Sequence, residues 1–119
     1  MKARDKYLIA DARHPLISTD KLWDEMLLYN IRGQKVEQLK SKFWEIAGKE
    51  ICESSLLQEL SGGQKVILMA LLALLSPASR IVFIELELSL DAPKLARLKQ
   101  EIVQSEKEVI LSADNAEDR

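Results

Sequence analysis

The sequence contains a single cysteine, Cys52, and a single histidine, His14, among 119 residues. One cysteine excludes an intramolecular disulfide and a cysteine-rich metal site, and it fits a reducing, cytoplasmic setting. Without a Cys/His cluster, no zinc site is expected. No charge dominates either. The 17 basic and 19 acidic side chains are interspersed and leave a net charge of −2, so no strong field is aimed at nucleic acid or at an anionic membrane. Long apolar runs are also missing: the longest, Val66 to Leu75, is about half of what a membrane-spanning helix needs. The apolar stretch Tyr7–Ala10 is too short for a signal-peptide core. No internal repeat or low-complexity tract occurs. What the chain does have is apolar side chains, 47% of its residues. That is ample for one core in a chain of ordinary domain length, about 100–150 residues.

The pattern divides the single domain into a mainly helical part, residues 1–55, and an α/β part, residues 56–119. Residues 7–10 read as a short strand, ended by the stretch to Pro15. Ser18-Thr19-Asp20 offers side-chain acceptors for a helix through Leu22, Trp23, Met26 and Tyr29, ending near Gly33. From Gln34 to Glu50, Val36, Leu39, Phe43, Ile46 and Ala47 recur at helical spacing. Phe43 belongs to that apolar stripe, whereas Trp44 falls off it and is expected to be partly exposed. The basic residues Arg32, Lys35, Lys40, Lys42 and Lys49 fit a solvated helix face. Cys52–Leu60 reads as a connector with one further turn, and Cys52 as a structural thiol. The Leu, Met and Ala composition of Val66–Leu75 predicts a buried helix, stopped at Ser76-Pro77. Ile81–Ile84 reads as a strand covered on both faces, and Val109–Leu111 as a second buried strand. Between them Asp91 is positioned to cap a helix with Pro93 in its first turn and Leu95, Leu98 and Ile102 inward.

Leu60-Ser61-Gly62-Gly63-Gln64 precedes the buried helix. Two adjacent glycines are expected to break regular structure there. Glycines admit a close approach to the backbone, helix-start N–H groups favour a phosphate, and Ser61 adds a hydroxyl. This stretch, the Ile81–Glu85 strand, Leu90-Asp91 and Val109–Ser112 occur in an order and spacing that resembles the C-terminal half of ATP-binding cassette (ABC) ATPases. The related SMC and double-strand-break-repair heads are included in that likeness. Leu60–Gln64 resembles the signature motif, Ile81–Glu85 the Walker B strand, Leu90-Asp91 the D-loop, and Val109–Ser112 the strand before the switch histidine. The likeness covers about Leu56 to Asn115. It implies a partial P-loop-NTPase-like layer: a small parallel sheet with flanking helices, preceded by a helical segment.

The departures from that family are equally specific. A phosphate loop needs Gly-x-x-x-x-Gly-Lys-Ser/Thr. The four glycines are Gly33, Gly48, Gly62 and Gly63, and the one Gly-Lys pair, Gly48-Lys49, has Phe43 and Glu50 at the positions that need glycine and hydroxyl. Glu85 and Leu86 stand where the family has the magnesium-holding Asp and the water-polarising Glu. Glu85 retains a weak claim to a metal-bound water, but Leu86 cannot accept a proton. Alternation of Ile84, Leu86 and Leu88 with Glu85, Glu87 and Ser89 instead reads as a strand with one wet face. Ala113 and Asp114 replace the usual Thr-His. His14, beside Pro15, reads as a turn residue, and no hydrolase triad is supported.

The resemblance therefore implies a module that does not hydrolyse ATP alone. Ser61, Gly62, Gly63 and Gln64 would meet the phosphate and ribose of nucleotide held by another protomer's P-loop, with Asp91 at the dimer seam. ATP and magnesium would be engaged only in trans, and the partner would be a second copy or a P-loop-bearing ABC- or SMC-like subunit. Two alternatives remain open. One is a structural or regulatory domain that self-associates without nucleotide. The other is one chain of a split ATPase, whose partner would have to supply the catalytic base.

Overall fold

Three apolar stretches far apart in sequence become neighbours: β1 (Leu8–Asp11), β2 (Arg80–Ile84) and β3 (Glu108–Ser112) form one parallel sheet in the order β1-β2-β3. The structure, a computed structural model, describes residues 7–16 and 20–112. Parallel strands need long crossovers. The first carries α1 (Leu22–Leu28), α2 (Gln34–Ala47) and α3 (Gly62–Leu75), and the second carries α4 (Ala92–Ser105). Both crossovers step the same way across the sheet. Since such connections are right-handed, the helices share one face.

That arrangement corrects two expectations about the strands. Ile81 and Phe83 point to the helical face and are fully buried, whereas Val82 and Ile84, on the other face, are only partly covered. Val109–Leu111 is not buried: β3 is an edge strand with Ile110 and Leu111 exposed. On the open face Ile9, Val82 and Ile110 lie side by side in register. Their row ends at a polar trio, in which Arg80 pairs with Glu108 at 3.1 Å and stacks over Tyr7, whose hydroxyl donates to Glu108 at 2.6 Å.

α3 is apolar all round and is buried from Val66 to Leu74, between the sheet and α2. Such a helix has no wet side and needs a layer on each flank. α2 supplies one with Val36, Leu39, Phe43 and Ile46, and α4 adds Leu98. α2 stops at Ala47 because Gly48 takes a left-handed conformation (φ 71°) and its N–H closes on the Trp44 carbonyl. The helix is therefore about one turn shorter than the Gln34–Glu50 spacing predicts.

α1 is shorter than its sequence pattern. Ser18 and Thr19 lie outside the described residues, and the helix starts at Leu22 without a side-chain cap. The Leu22 and Trp23 N–H groups bond instead to the carbonyls of Ser55 and Glu53, so the connector replaces the cap. Its end comes before Gly33, since Asn30 adopts a left-handed conformation (φ 62°). The N–H groups of Asn30 and Ile31 then return to the carbonyls of Leu27 and Met26, a Schellman closure with asparagine in the usual glycine position.

Candidate functional site

Gly62 and Gly63 do not break the helix; they are its first two residues. Ser61 is the cap. Its hydroxyl accepts from the Gln64 N–H at 3.2 Å while the Gln64 carboxamide oxygen accepts from the Ser61 N–H at 2.9 Å. This reciprocal box fixes the turn. It also leaves chemistry available: the N–H groups of Gly62 and Gly63 have no intrahelical acceptor, and the Ser61 hydroxyl proton and the Gln64 NH₂ remain as donors. Neither glycine has a positive φ. A Cβ at Gly62 would meet nothing within 4 Å, and one at Gly63 would only touch Leu90 at 4.0 Å. The fold itself therefore has no use for glycine at these two positions.

The start of α4 lies against the same turn. Ser61, Gly63, Gln64, Ser89, Asp91 and Lys94 line an open pocket of about 330 Å³. Two helix N-termini thus open into one concavity. Asp91 caps α4 by accepting from the Lys94 N–H at 3.0 Å, and its second oxygen meets Lys94 Nζ at 3.3 Å. The Lys94 N–H holds the Asp91 carboxyl below the usual carboxylate range. The structure so brings together Ser61, Gly63, Gln64 and Asp91, with Gly62 exposed on the same turn. Lys94 and Ser89 were not singled out from the sequence. The signal for Lys94 was its position three residues after a helix cap, where side chain and cap share a face.

Glu85 is elsewhere in this arrangement and does not line the pocket. The alternating pattern from Ile84 to Ser89 is not a strand. β2 ends at Ile84, Glu85 takes a left-handed conformation (φ 62°), and Leu86–Leu88 form a 3₁₀ turn. The turn is held by the Ser89 hydroxyl donating to the Glu85 carbonyl at 2.8 Å, and it buries Leu86 while exposing Leu88. Among the described residues no group of three His, Cys, Asp or Glu side chains is placed to hold a metal ion. Ala113 and Asp114 lie outside the described residues.

The remaining sequence candidates are dispersed. His14 sits exposed in the turn after β1, its N–H on the Asp11 carbonyl. Cys52 is exposed. Its sulfur lies 3.2 Å from the Ser54 hydroxyl and accepts from the Ser55 hydroxyl at 3.7 Å, and these contacts lower its thiol pKa. The basic side chains Lys40 and Lys42 are engaged, Lys40 with Glu53 at 2.9 Å and Lys42 with Glu101 at 3.0 Å. Trp44 is exposed, as expected, and Phe43 is fully buried. Among the described residues no helix is long and apolar enough to cross a membrane.

Fold and site together define a small parallel α/β domain with a helix-start pocket above a sheet covered on one face. Compared with known proteins, the chain matches no family model and no curated protein sequence.

Proposed function

We propose that this chain is a degenerate ABC-ATPase-like module that contributes a signature-type half-site to nucleotide held by a partner's P-loop. The observation that carries this reading is the glycine pair: two bare backbone positions at a helix start, where neither backbone angle nor packing calls for glycine. Glycine inside a helix costs about 0.5–1 kcal/mol relative to alanine and gains nothing from the packing at this helix start, so the absence of side chains there serves an approach from outside the chain. The phosphate would be met by the Gly62 and Gly63 N–H groups and the Ser61 hydroxyl, helped by the α3 dipole. The Gln64 NH₂ is left to reach a ribose hydroxyl. Asp91, with its charge shared by Lys94, stands at the seam. ATP and its magnesium belong to the partner, which supplies the phosphate-binding lysine this sequence lacks. No catalytic base is provided here: Leu86 is apolar and buried.

The test is affinity capture from the native cell extract with wild-type chain and Ser61→Arg as baits, with and without a non-hydrolysable ATP analogue. The reading expects a P-loop-bearing subunit retained by the wild type only, and only with nucleotide. Equal retention by Ser61→Arg, or retention without nucleotide, contradicts it.

A second reading, a self-associating structural or regulatory domain that binds no nucleotide, draws on the exposed apolar edge at Ile110 and Leu111. It expects the glycine pair to be dispensable for every interaction of the chain. A loss of partner capture in Gly63→Ala counts against it.

A further inference from the structure

Among the described residues, β3 is the less protected of the two sheet edges. Edge strands are ordinarily blunted by lysine, proline, a bulge or extreme shortness. β1 has four residues and ends in Asp11, which Arg13 engages at 2.8 Å. β3 has five residues and contains neither lysine nor proline. Its Ile110 and Leu111 are 44% and 37% exposed on opposite faces of the sheet. Leu88, 76% exposed, lies in the 3₁₀ turn that packs against this strand.

The backbone phase of the edge is defined at both ends. The Glu108 N–H donates to the Ser79 carbonyl at 2.9 Å, and the Ser112 carbonyl accepts from the Glu85 N–H at 2.8 Å. The even-numbered residues of β3 therefore bond toward β2. By the two-residue period of a strand, the N–H and C=O groups of Val109 and Leu111 point outward.

We infer that this edge pairs antiparallel with β3 of a second copy, about a two-fold axis at Ile110. In that register Val109 exchanges both backbone hydrogen bonds with Leu111 of the second copy, and Leu111 with its Val109. The charges agree with it. Glu108, the only charged residue of the strand, stands opposite Ser112 of the second copy, so no like charges face each other. Its carboxylate is already matched by Arg80 at 3.1 Å within its own chain. Joining β3 of one copy to β1 of the next would instead be head-to-tail and would not close on itself. The two-fold pairing closes, gives a six-stranded sheet, and joins the two open-face rows of Ile9, Val82 and Ile110. A five-residue edge with its flanking apolar groups offers less than the roughly 800 Å² per partner of a standard interface. The dimer is accordingly weak, with a dissociation constant in the micromolar range or above.

This inference does not rest on the nucleotide reading, and Ser61→Arg leaves it unchanged. Sedimentation of the full chain from a few to several hundred micromolar is expected to show a monomer–dimer equilibrium. Val109→Pro removes an outward N–H, together with a valine side chain that packs on the core, and Ile110→Lys, at an exposed position, sets two lysines face to face. Each is expected to weaken the dimer at least tenfold while the circular dichroism spectrum is retained. In a Cys52→Ser background, Ile110→Cys is expected to form an intermolecular disulfide under mild oxidation, because the facing Cα atoms of a non-hydrogen-bonded pair lie about 4.5 Å apart. Ile9→Cys, on the opposite edge, is expected not to. A monomer at every concentration overturns the inference. So does a dimer indifferent to both β3 substitutions, or cross-linking through Ile9→Cys that equals that through Ile110→Cys.

Discussion

Neither packing nor backbone angle requires glycine at Gly62 and Gly63, and the proposed half-site gives their bare backbone a ligand. An alanine at Gly63 would touch Leu90 at an ordinary 4.0 Å and would keep its helical backbone. Replacing a helical glycine in such a place stabilises by about 0.4–1 kcal/mol, largely by restricting the unfolded chain. Gly63→Ala is therefore expected to raise the urea midpoint while abolishing nucleotide-dependent capture of a partner. Gain of stability together with unchanged capture would mean the bare backbone has no ligand. A second residue-scale prediction concerns Tyr29, whose phenol burial pushes up to about 12, the Glu25 charge adding in the same direction. The folded chain keeps this proton where the unfolded chain, with an ordinary value of 10.0, releases it. Its contribution is complete below pH 10 and is lost as pH rises towards 12. Tyr29→Phe is expected to flatten the fall in urea stability over that window, and a slope unchanged from wild type would contradict the assignment. At this scale much was legible. Ser61, Gly63, Gln64 and Asp91 were marked by residue type and spacing. Lys94 carries a local signal in its spacing from the Asp91 cap, but no local pattern states that the starts of α3 and α4 meet, which is what brings Lys94 and Ser89 into the pocket.

Among the elements, α3 carries the most burial and the site begins at its first turn. Two substitutions separate these roles. Leu72→Ala, in the fully buried middle of α3, is expected to cost about 2–5 kcal/mol through lost contacts and a cavity. Ser61→Ala removes a cap worth about 1 kcal/mol. Chemical denaturation measures both, and a Ser61→Ala loss as large as that of Leu72→Ala would contradict a pocket built on a locally fixed turn. The elements themselves were mostly readable. A short apolar stretch marked β1, a β-branched run marked β2, the 3.6-residue period marked α2 and α4, and composition marked α3. The failures have common physical causes. Glu85 adopts a left-handed conformation that its residue type does not announce, and Asn30, of a type that tolerates this conformation, ends α1 ahead of Gly33. α1 obtains its N-terminal acceptors from Glu53 and Ser55, which sequence proximity does not reveal. Glu85–Ser89 has the alternation of a strand, yet the chain must turn there to reach α4.

For the whole molecule, what decides the architecture is that both crossovers lie on one side. Apolar content predicted β2 and β3 as buried, but burial of a strand depends on its place in the sheet and on where the helices fall, neither of which is written in a five-residue segment. The outcome is a sheet with one covered face, an exposed edge, and a pocket whose donors point out of the chain. If the chain acts as the proposed half-site in trans, with no P-loop of its own, the isolated chain is expected to show no thermal shift with ATP and magnesium. A shift of several degrees would place nucleotide binding within the chain and contradict a half-site acting only in trans. The most direct test of the central claim uses the P-loop subunit retained in the capture experiment, purified and mixed with wild-type chain or Ser61→Arg in a sedimentation assay with and without a non-hydrolysable ATP analogue. A complex that forms only with nucleotide, and at least tenfold more weakly with Ser61→Arg, is the predicted result. A complex of equal strength without nucleotide, or with Ser61→Arg, would contradict it.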